Sequence, residues 1–179
     1  MEWTQGEFTV TCDPARQDLD VIHGFLTQSY WAKGIPRDTV ARSLAGSLCF
    51  ALLHGGTQVG FARVISDGAT IAYLGDVFVL PPFRGQGLSK WLMACVTAHP
   101  DLQGMRRWIL ATSDAHGLYQ QFGFTPLKQP DAFMERHNPR VYAAEAHPPN
   151  AGRRPNAAGL TGVHTKDRRA HGDQGRHLA

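Results

Sequence analysis

The sequence predicts one α/β domain, and three observations carry that expectation. Strand-like and helix-like patterns alternate along the first 140 residues. Residues 70–80 are apolar on both faces, as a strand inside a sheet must be. Behind them a glycine turn, Gly85-Gln86-Gly87, opens an amphipathic helix. A length of 179 residues, 42% hydrophobic and 18% charged, suits a single core near the usual domain size of about 150 residues.

The elements follow in order. Phe8-Thr9-Val10-Thr11-Cys12 alternates and stops at Asp13-Pro14, a strand and then a turn. Leu19, Ile22, His23, Phe25 and Leu26 recur at near-helical spacing behind Asp18, a residue type that caps helix N-termini. Tyr30-Trp31-Ala32-Lys33-Gly34-Ile35-Pro36 breaks that helix, and a shorter one restarts after Asp38 through Val40, Ser43 and Leu44. Residues 48–53 and 58–65 read as a hairpin joined at Gly55-Gly56, with Asp67-Gly68 before the next run. In residues 70–80, simple alternation puts Ile71, Tyr73, Val77 and Val79 on one face and Ala72, Leu74, Asp76, Phe78 and Leu80 on the other. Pro81-Pro82 stops the strand, after which Leu88, Trp91, Leu92, Cys95 and Val96 keep helical spacing. Residues 107–112 form a further strand and residues 115–122 a short helix with Asp114 as its N-cap.

A helix N-terminus exposed directly after a sheet strand offers unpaired N–H donors and a positive dipole end to a phosphate. Glycine at 85 and 87 lets a diphosphate approach the main chain, and Arg84 adds a bidentate cation. The P-loop pattern is absent, and the dinucleotide fingerprint fails because Lys90 stands where its third glycine belongs. Taken alone, such a turn is equally compatible with no ligand.

Its surroundings narrow the choice. Val77-Phe78-Val79-Leu80-Pro81, continuing through Arg84-Gly85 to Gly87-Leu88-Ser89, resembles the acetyl-CoA-binding segment of the GCN5-related N-acetyltransferases (GNAT). That family's motif runs Q/R-x-x-G-x-G/A after a central strand; Arg84, Gly87 and Ser89 hold its key places, with Ser89 where the family has Gly or Ala. The strand at 107–112, then Asp114-Ala115-His116-Gly117-Leu118-Tyr119 and the close at Gly123-Phe124, is similar to the strand, short helix and Y-x-x-x-G-F ending beside that family's cofactor cleft. The resemblance spans roughly residues 6–137.

It implies the GNAT acyl-CoA N-acyltransferase fold, a mixed α+β sheet whose two central strands splay near Leu80 and Thr112, with acetyl-CoA as co-substrate. Main chain around Phe78 and Val79 would pair with pantetheine, and Arg84, Gly85, Gln86, Gly87, Leu88 and Ser89 would hold the diphosphate. The Phe78 N–H would polarise the thioester carbonyl. A primary amine would attack the thioester directly in a ternary complex. Tyr119 falls where the family commonly places the acid for the departing thiolate; its plain alternative is a core tyrosine with a satisfied hydroxyl.

Asp76, the sole charge in its apolar strand, is a candidate base acting directly or through water, and fits equally a carboxylate bonded to main-chain amides. His116 is a relay candidate or a surface residue. The acceptor is expected against residues 29–42, with Tyr30, Trp31 and Arg63 as candidate substrate-binding residues. Lys33 and Arg37 disfavour a polycationic acceptor and leave a small-molecule amine or a protein N-terminus. A non-catalytic acyl-CoA binder or sensor is the alternative reading.

Charge and composition exclude other classes. Residues 1–140 carry twelve Lys/Arg against twelve Asp/Glu, while residues 141–179 carry six against three. The excess therefore sits in a basic Pro-, Gly- and His-containing tail, 141–179, expected to be disordered beside a folded domain at 1–140. A balanced body lacks the basic footprint of a nucleic-acid binder. No apolar run approaches the ~18 to 20 residues of a membrane span, and the N-terminus lacks a secretory pattern, so a cytoplasmic protein free of the membrane is expected. Cys12, Cys49 and Cys95, odd in number and widely spaced, read as free thiols. His23, His54, His99 and His137 lack metal-ligand spacing, so no metal is expected. A homodimer is the assembly kept open.

Overall fold

A computed structural model of the chain describes residues 1–143; the basic tail lies outside the described residues from position 144 onward. Six strands, β1 (Glu2–Gln5), β2 (Phe8–Thr11), β3 (Leu48–His54), β4 (Thr57–Ser66), β5 (Ile71–Val79) and β6 (Arg107–Ile109), form one sheet in that order. Neighbours are antiparallel except β5 and β6, which run parallel because the chain crosses back through α3 (Leu88–Thr97). The other helices are α1 (Leu19–Leu26), α2 (Arg37–Ala45) and α4 (His116–Gln120).

Two apolar clusters flank this sheet. On one, α3 lays Leu88, Leu92, Met93 and Val96 against Phe50, Leu52, Val64 and Leu74. On the other, Ile22 and Leu26 of α1 and Val40 of α2 pack with Phe61 and Phe78. Residues such as Phe50, Leu52, Leu92 and Met93 are fully buried, each contributing about 1.5–3 kcal/mol of apolar transfer energy. Tyr142 packs against the α1/α2 cluster, so the folded body extends past residue 140.

The α1 boundary is set as its sequence suggests: the Asp18 carboxylate accepts from the N–H groups of Asp20 and Val21 at 2.9 and 3.1 Å. Four details differ. A strand precedes Phe8, because Trp3 of β1 pairs with Val10 and stacks on Phe50. Helix α2 begins at Arg37 behind Pro36 and is longer than α1 by one residue, with Asp38 already inside its first turn. Strand β6 ends at Ile109 rather than Thr112. Asp114 does not cap α4; the Thr112 hydroxyl accepts from the Ala115 N–H at 3.1 Å instead.

The largest difference lies in β5. Its register against β4 slips between Phe61 and Arg63, and Asp76 adopts φ 56°. The extra residue reverses the alternation, so Ala72 and Leu74 before the slip share the α3-side cluster with Val77 and Val79 after it. Phe78 consequently faces α1. The simple two-face division of residues 70–80 fails for this reason, and in the first half Ile71 and Tyr73 are exposed.

Candidate active site

Strand β6 pairs with β5 only through Ile71–Arg107, Ala72–Trp108 and Tyr73–Ile109. Beyond Tyr73 the two strands part, and a cleft of about 310 Å³ occupies the opening. Val77, Phe78 and Val79 form its β5 wall, and Leu118 and Tyr119 of α4 face them.

The register decides which main-chain groups look into the opening. The Leu80 N–H donates to the Val59 carbonyl at 2.8 Å, and a Cβ added to Gly60 would lie 2.8 Å from the Phe78 oxygen, so Phe78 turns its main chain toward β4. The Val79 carbonyl looks the other way, accepting from Arg84 Nε at 2.9 Å. Because a residue's N–H and C=O share a side in an antiparallel strand, Val77 and Val79 present their amides to the cleft. The expected role of the Phe78 N–H is corrected accordingly: that group is directed into the sheet, and Phe78 meets the cleft through its ring.

At the far end Gly85 and Gly87 have φ 77° and 76°, and a Cβ on either would meet nothing within 4 Å. Gly87 is the N-cap of α3 and supplies no side-chain cap. The first intrahelical donor is the Trp91 N–H, to the Gly87 carbonyl at 3.1 Å, which leaves the amides of Leu88, Ser89 and Lys90 open. Arg84, Gly85, Gly87, Leu88 and Ser89 line the cleft, whereas Gln86 is exposed in the turn and does not.

Tyr119 is buried, and its hydroxyl finds no hydrogen-bond partner among the described residues. Burial, with smaller contributions from Tyr30 and Asp114, pushes its phenol up to about 12. It therefore stays protonated across the neutral range while facing the opening.

Asp76 is no isolated carboxylate. Arg63 Nε and Nη2 each lie 2.7 Å from its Oδ2, and Trp31 Nε1 donates to its Oδ1 at 3.1 Å. Arg63 Nη1 also donates to the Ser47 hydroxyl at 3.2 Å, so this guanidinium is fully engaged and does not line the cleft. Trp31 does line it; exposed Tyr30 stands beside Trp31 at the mouth. Arg37 pairs with Asp20 at 2.7 Å, which removes one of the two cations expected to repel a polycation. His116 is exposed at the start of α4.

Phe25 and Asp114 also line the cleft, although the sequence marks the one only as an apolar helix residue and the other only as a helix cap. Phe25 stacks on Phe78 with ring centroids 3.9 Å apart and planes 9° from parallel. Its spacing in α1 marks it only as apolar and inward, which does not separate a cleft wall from core. A larger cleft of about 760 Å³ between the end of α3 and residues 122–133 holds none of the candidate residues. Among the described residues no group of three metal-ligating side chains exists, and no helix is long and apolar enough to cross a membrane.

The acetyltransferase (GNAT) domain family matches residues 45–126. A Gibberella zeae protein assigned as an acetyltransferase is 34% identical over 140 residues, 65% of this chain and 78% of its own. A crystal structure from Xanthomonas campestris pv. campestris, assigned as a GNAT-family acetyltransferase, shares 56% identity with a TM-score of 0.74 over 76% of this chain and 96% of its own. AAC(6')-Iy, solved with the bisubstrate analogue CoA-S-monomethyl-acetylneamine, shares the fold at 21% identity and a TM-score of 0.55, over 73% of this chain and 98% of its own.

Proposed function

The chain belongs to the GNAT family of N-acetyltransferases, and from that membership we propose that it transfers the acetyl group of acetyl-CoA to a primary amine within a ternary complex. One observation carries the reading: a single cleft ends in an uncapped helix N-terminus on one side and, on the other, a phenol without a hydrogen-bond partner among the described residues. The turn fits a diphosphate, because its two positive-φ glycines leave the space before the α3 amides open. Acetyl-CoA supplies an activated acyl carbon and a thiolate leaving group.

The amides of Leu88, Ser89 and Lys90 hold the diphosphate, and Arg84 adds charge beside them. The cleft-facing N–H groups of Val77 and Val79 pair with pantetheine as an added strand, and one of them polarises the thioester carbonyl. Tyr119 donates its proton to the departing sulfur. The acceptor, a small-molecule amine or a protein N-terminus, enters past Tyr30 and Trp31. Its proton leaves to solvent at that mouth, with Asp76 held in its ion pair with Arg63 and bonded to Trp31.

The test combines calorimetry with acetyl-CoA and a free-thiol assay across an amine library. Saturable binding and thiol release with at least one amine are expected. Binding without thiol release from any amine points to an acyl-CoA binder or sensor; no binding and no thermal shift at saturating ligand overturns the reading.

A further inference from the structure

Asp76 is the one non-glycine residue with positive φ among the described residues, and it sits where β5 slips against β4. A left-handed conformation is unfavourable for an L-residue with a side chain and persists where its surroundings hold it. Here four polar contacts do so. Arg63 grips Oδ2 twice at 2.7 Å, Trp31 holds Oδ1 at 3.1 Å, and Ser47 fixes the far side of the guanidinium at 3.2 Å. The pair is largely withdrawn from water, its side chains 16% and 11% exposed. The loop after α1 and the middle of β4 thus converge on one carboxylate, and Ser47, just before β3, braces it through the guanidinium.

What that carboxylate controls follows from strand geometry. A one-residue slip turns every later side chain to the other face and every later amide to the other edge. Without it, Val77 and Val79 would direct their amides into β4 and Phe78 would lose its stack on Phe25. Trp31, held by the same carboxylate, is also part of the cleft wall.

We propose that Asp76 is a positioning residue for acetyl transfer: clamped by Arg63 and Trp31, it fixes the bulge that aims the amides of Val77 and Val79 into the cleft and pins the acceptor-side loop to the same strand. It acts through those amides and takes no proton from the acceptor. Arg63 belongs to this clamp rather than to acceptor binding. The kinetic readout rests on the acetyl-transfer reading, whereas the affinity readout needs only cofactor binding.

Variants of Asp76 separate clamp from base. Asp76→Asn keeps an oxygen acceptor and a residue type tolerant of positive φ but has no basic group. It should hold acetyl-CoA affinity within about threefold and kcat within about tenfold, with the shape of the kcat–pH profile unchanged. Asp76→Ala, which loses both clamp and φ tolerance, should weaken acetyl-CoA about tenfold and lower kcat about 10²-fold, with Asp76→Gly between the two. Trp31→Phe keeps an aromatic ring in the cleft wall but removes the bond to Asp76 Oδ1, and should raise the acceptor KM about 3- to 10-fold while weakening acetyl-CoA less than Asp76→Ala does.

An Asn variant that binds acetyl-CoA normally but loses about 10³-fold in kcat together with the ascending limb of the profile would make Asp76 the base and overturn the proposal. So would an Ala variant with wild-type affinity and turnover. If the wild-type protein binds acetyl-CoA but never releases thiol, the acetyl-transfer reading fails by itself. The clamp is then judged on the affinity ratio of the Asn and Ala variants, about tenfold if it holds and one if it does not.

Discussion

The phenol oxygen of Tyr30 accepts a hydrogen bond from the main-chain N–H of Ser113 at 3.1 Å, joining the loop after α1 to the segment after β6. Next to it Trp31 reaches Asp76 on β5, so two consecutive aromatic side chains touch both arms of the opening, their rings edge to face at 4.9 Å. Tyr30→Phe keeps the ring and removes the bond to Ser113. Acetyl-CoA affinity should hold while the acceptor KM rises about 3- to 10-fold, the equivalent of a typical net hydrogen bond of about 0.5–1.5 kcal/mol. Steady-state kinetics with the best amine of the library measures this, and an unchanged KM would take Tyr30 out of the acceptor wall.

Tyr119 separates catalysis from binding. A phenol that protonates only the departing thiolate acts in the transition state, so Tyr119→Phe should keep acetyl-CoA affinity and lower turnover by roughly 10²- to 10⁴-fold. Because the hydroxyl has no partner among the described residues, its removal should leave the melting temperature nearly unchanged. A loss of stability near 1 kcal/mol at normal turnover would instead identify a structural hydrogen bond. Melting, affinity and turnover on one preparation decide between them.

The diphosphate turn is tested at Gly87. A Cβ there would meet nothing within 4 Å in the free protein, so Gly87→Val is expected to act through its φ of 76° and through crowding of the ligand. Acetyl-CoA should weaken by about 1–3 kcal/mol, the usual range for an enforced unfavourable backbone conformation. Arg84→Ala should cost less, and its loss should shrink at high salt because the side chain is exposed. Equal affinity of a folded Gly87→Val protein would remove this turn from the site.

Alkaline pH should weaken the fold in a defined window. Burial pushes the Cys49 and Cys95 thiols up from 9.0 to about 11, and the Tyr119 phenol from 10.0 to about 12. The unfolded chain releases these protons at the ordinary values, so between the two sets the folded state binds more protons. Its stability is then complete below the unfolded values and falls as pH rises through the folded ones. The urea midpoint should fall between about pH 9 and about pH 11, and less steeply in Cys49→Ala. A flat midpoint across that range would contradict the burial of these groups.

The parts of the fold that announce themselves in the sequence are those with a local physical demand. Asp18 marks the start of α1 because four unpaired amides need an acceptor, and Gly85 and Gly87 mark the phosphate turn because positive φ needs glycine. Hairpin β3–β4 declares itself by two apolar runs on either side of Gly55-Gly56, and helix α3 by its period. Strand β1 does not, since Trp3 alone of its four residues is even partly buried. Nor does the slip at Asp76: the run is apolar on either side of it, so the lone charge marks an unusual position without revealing that the register shifts there. The Arg63–Asp76 pair is hidden for the same reason: it joins residues thirteen apart across a register that only the folded sheet defines.

Sheet order carries a consequence for how this molecule opens. The first five strands each lie beside the next in sequence, whereas β6 is joined through a crossover helix and three residue pairs. An arm held by so short a ladder is a separate unit of local unfolding, with a smaller opening free energy than β3 or β4 at the sheet's centre. Its amides should therefore exchange hydrogen for deuterium sooner than theirs. A molecule lying in the cleft and touching both β5 and α4 would close that fluctuation, linking occupancy of the site to the cohesion of the sheet.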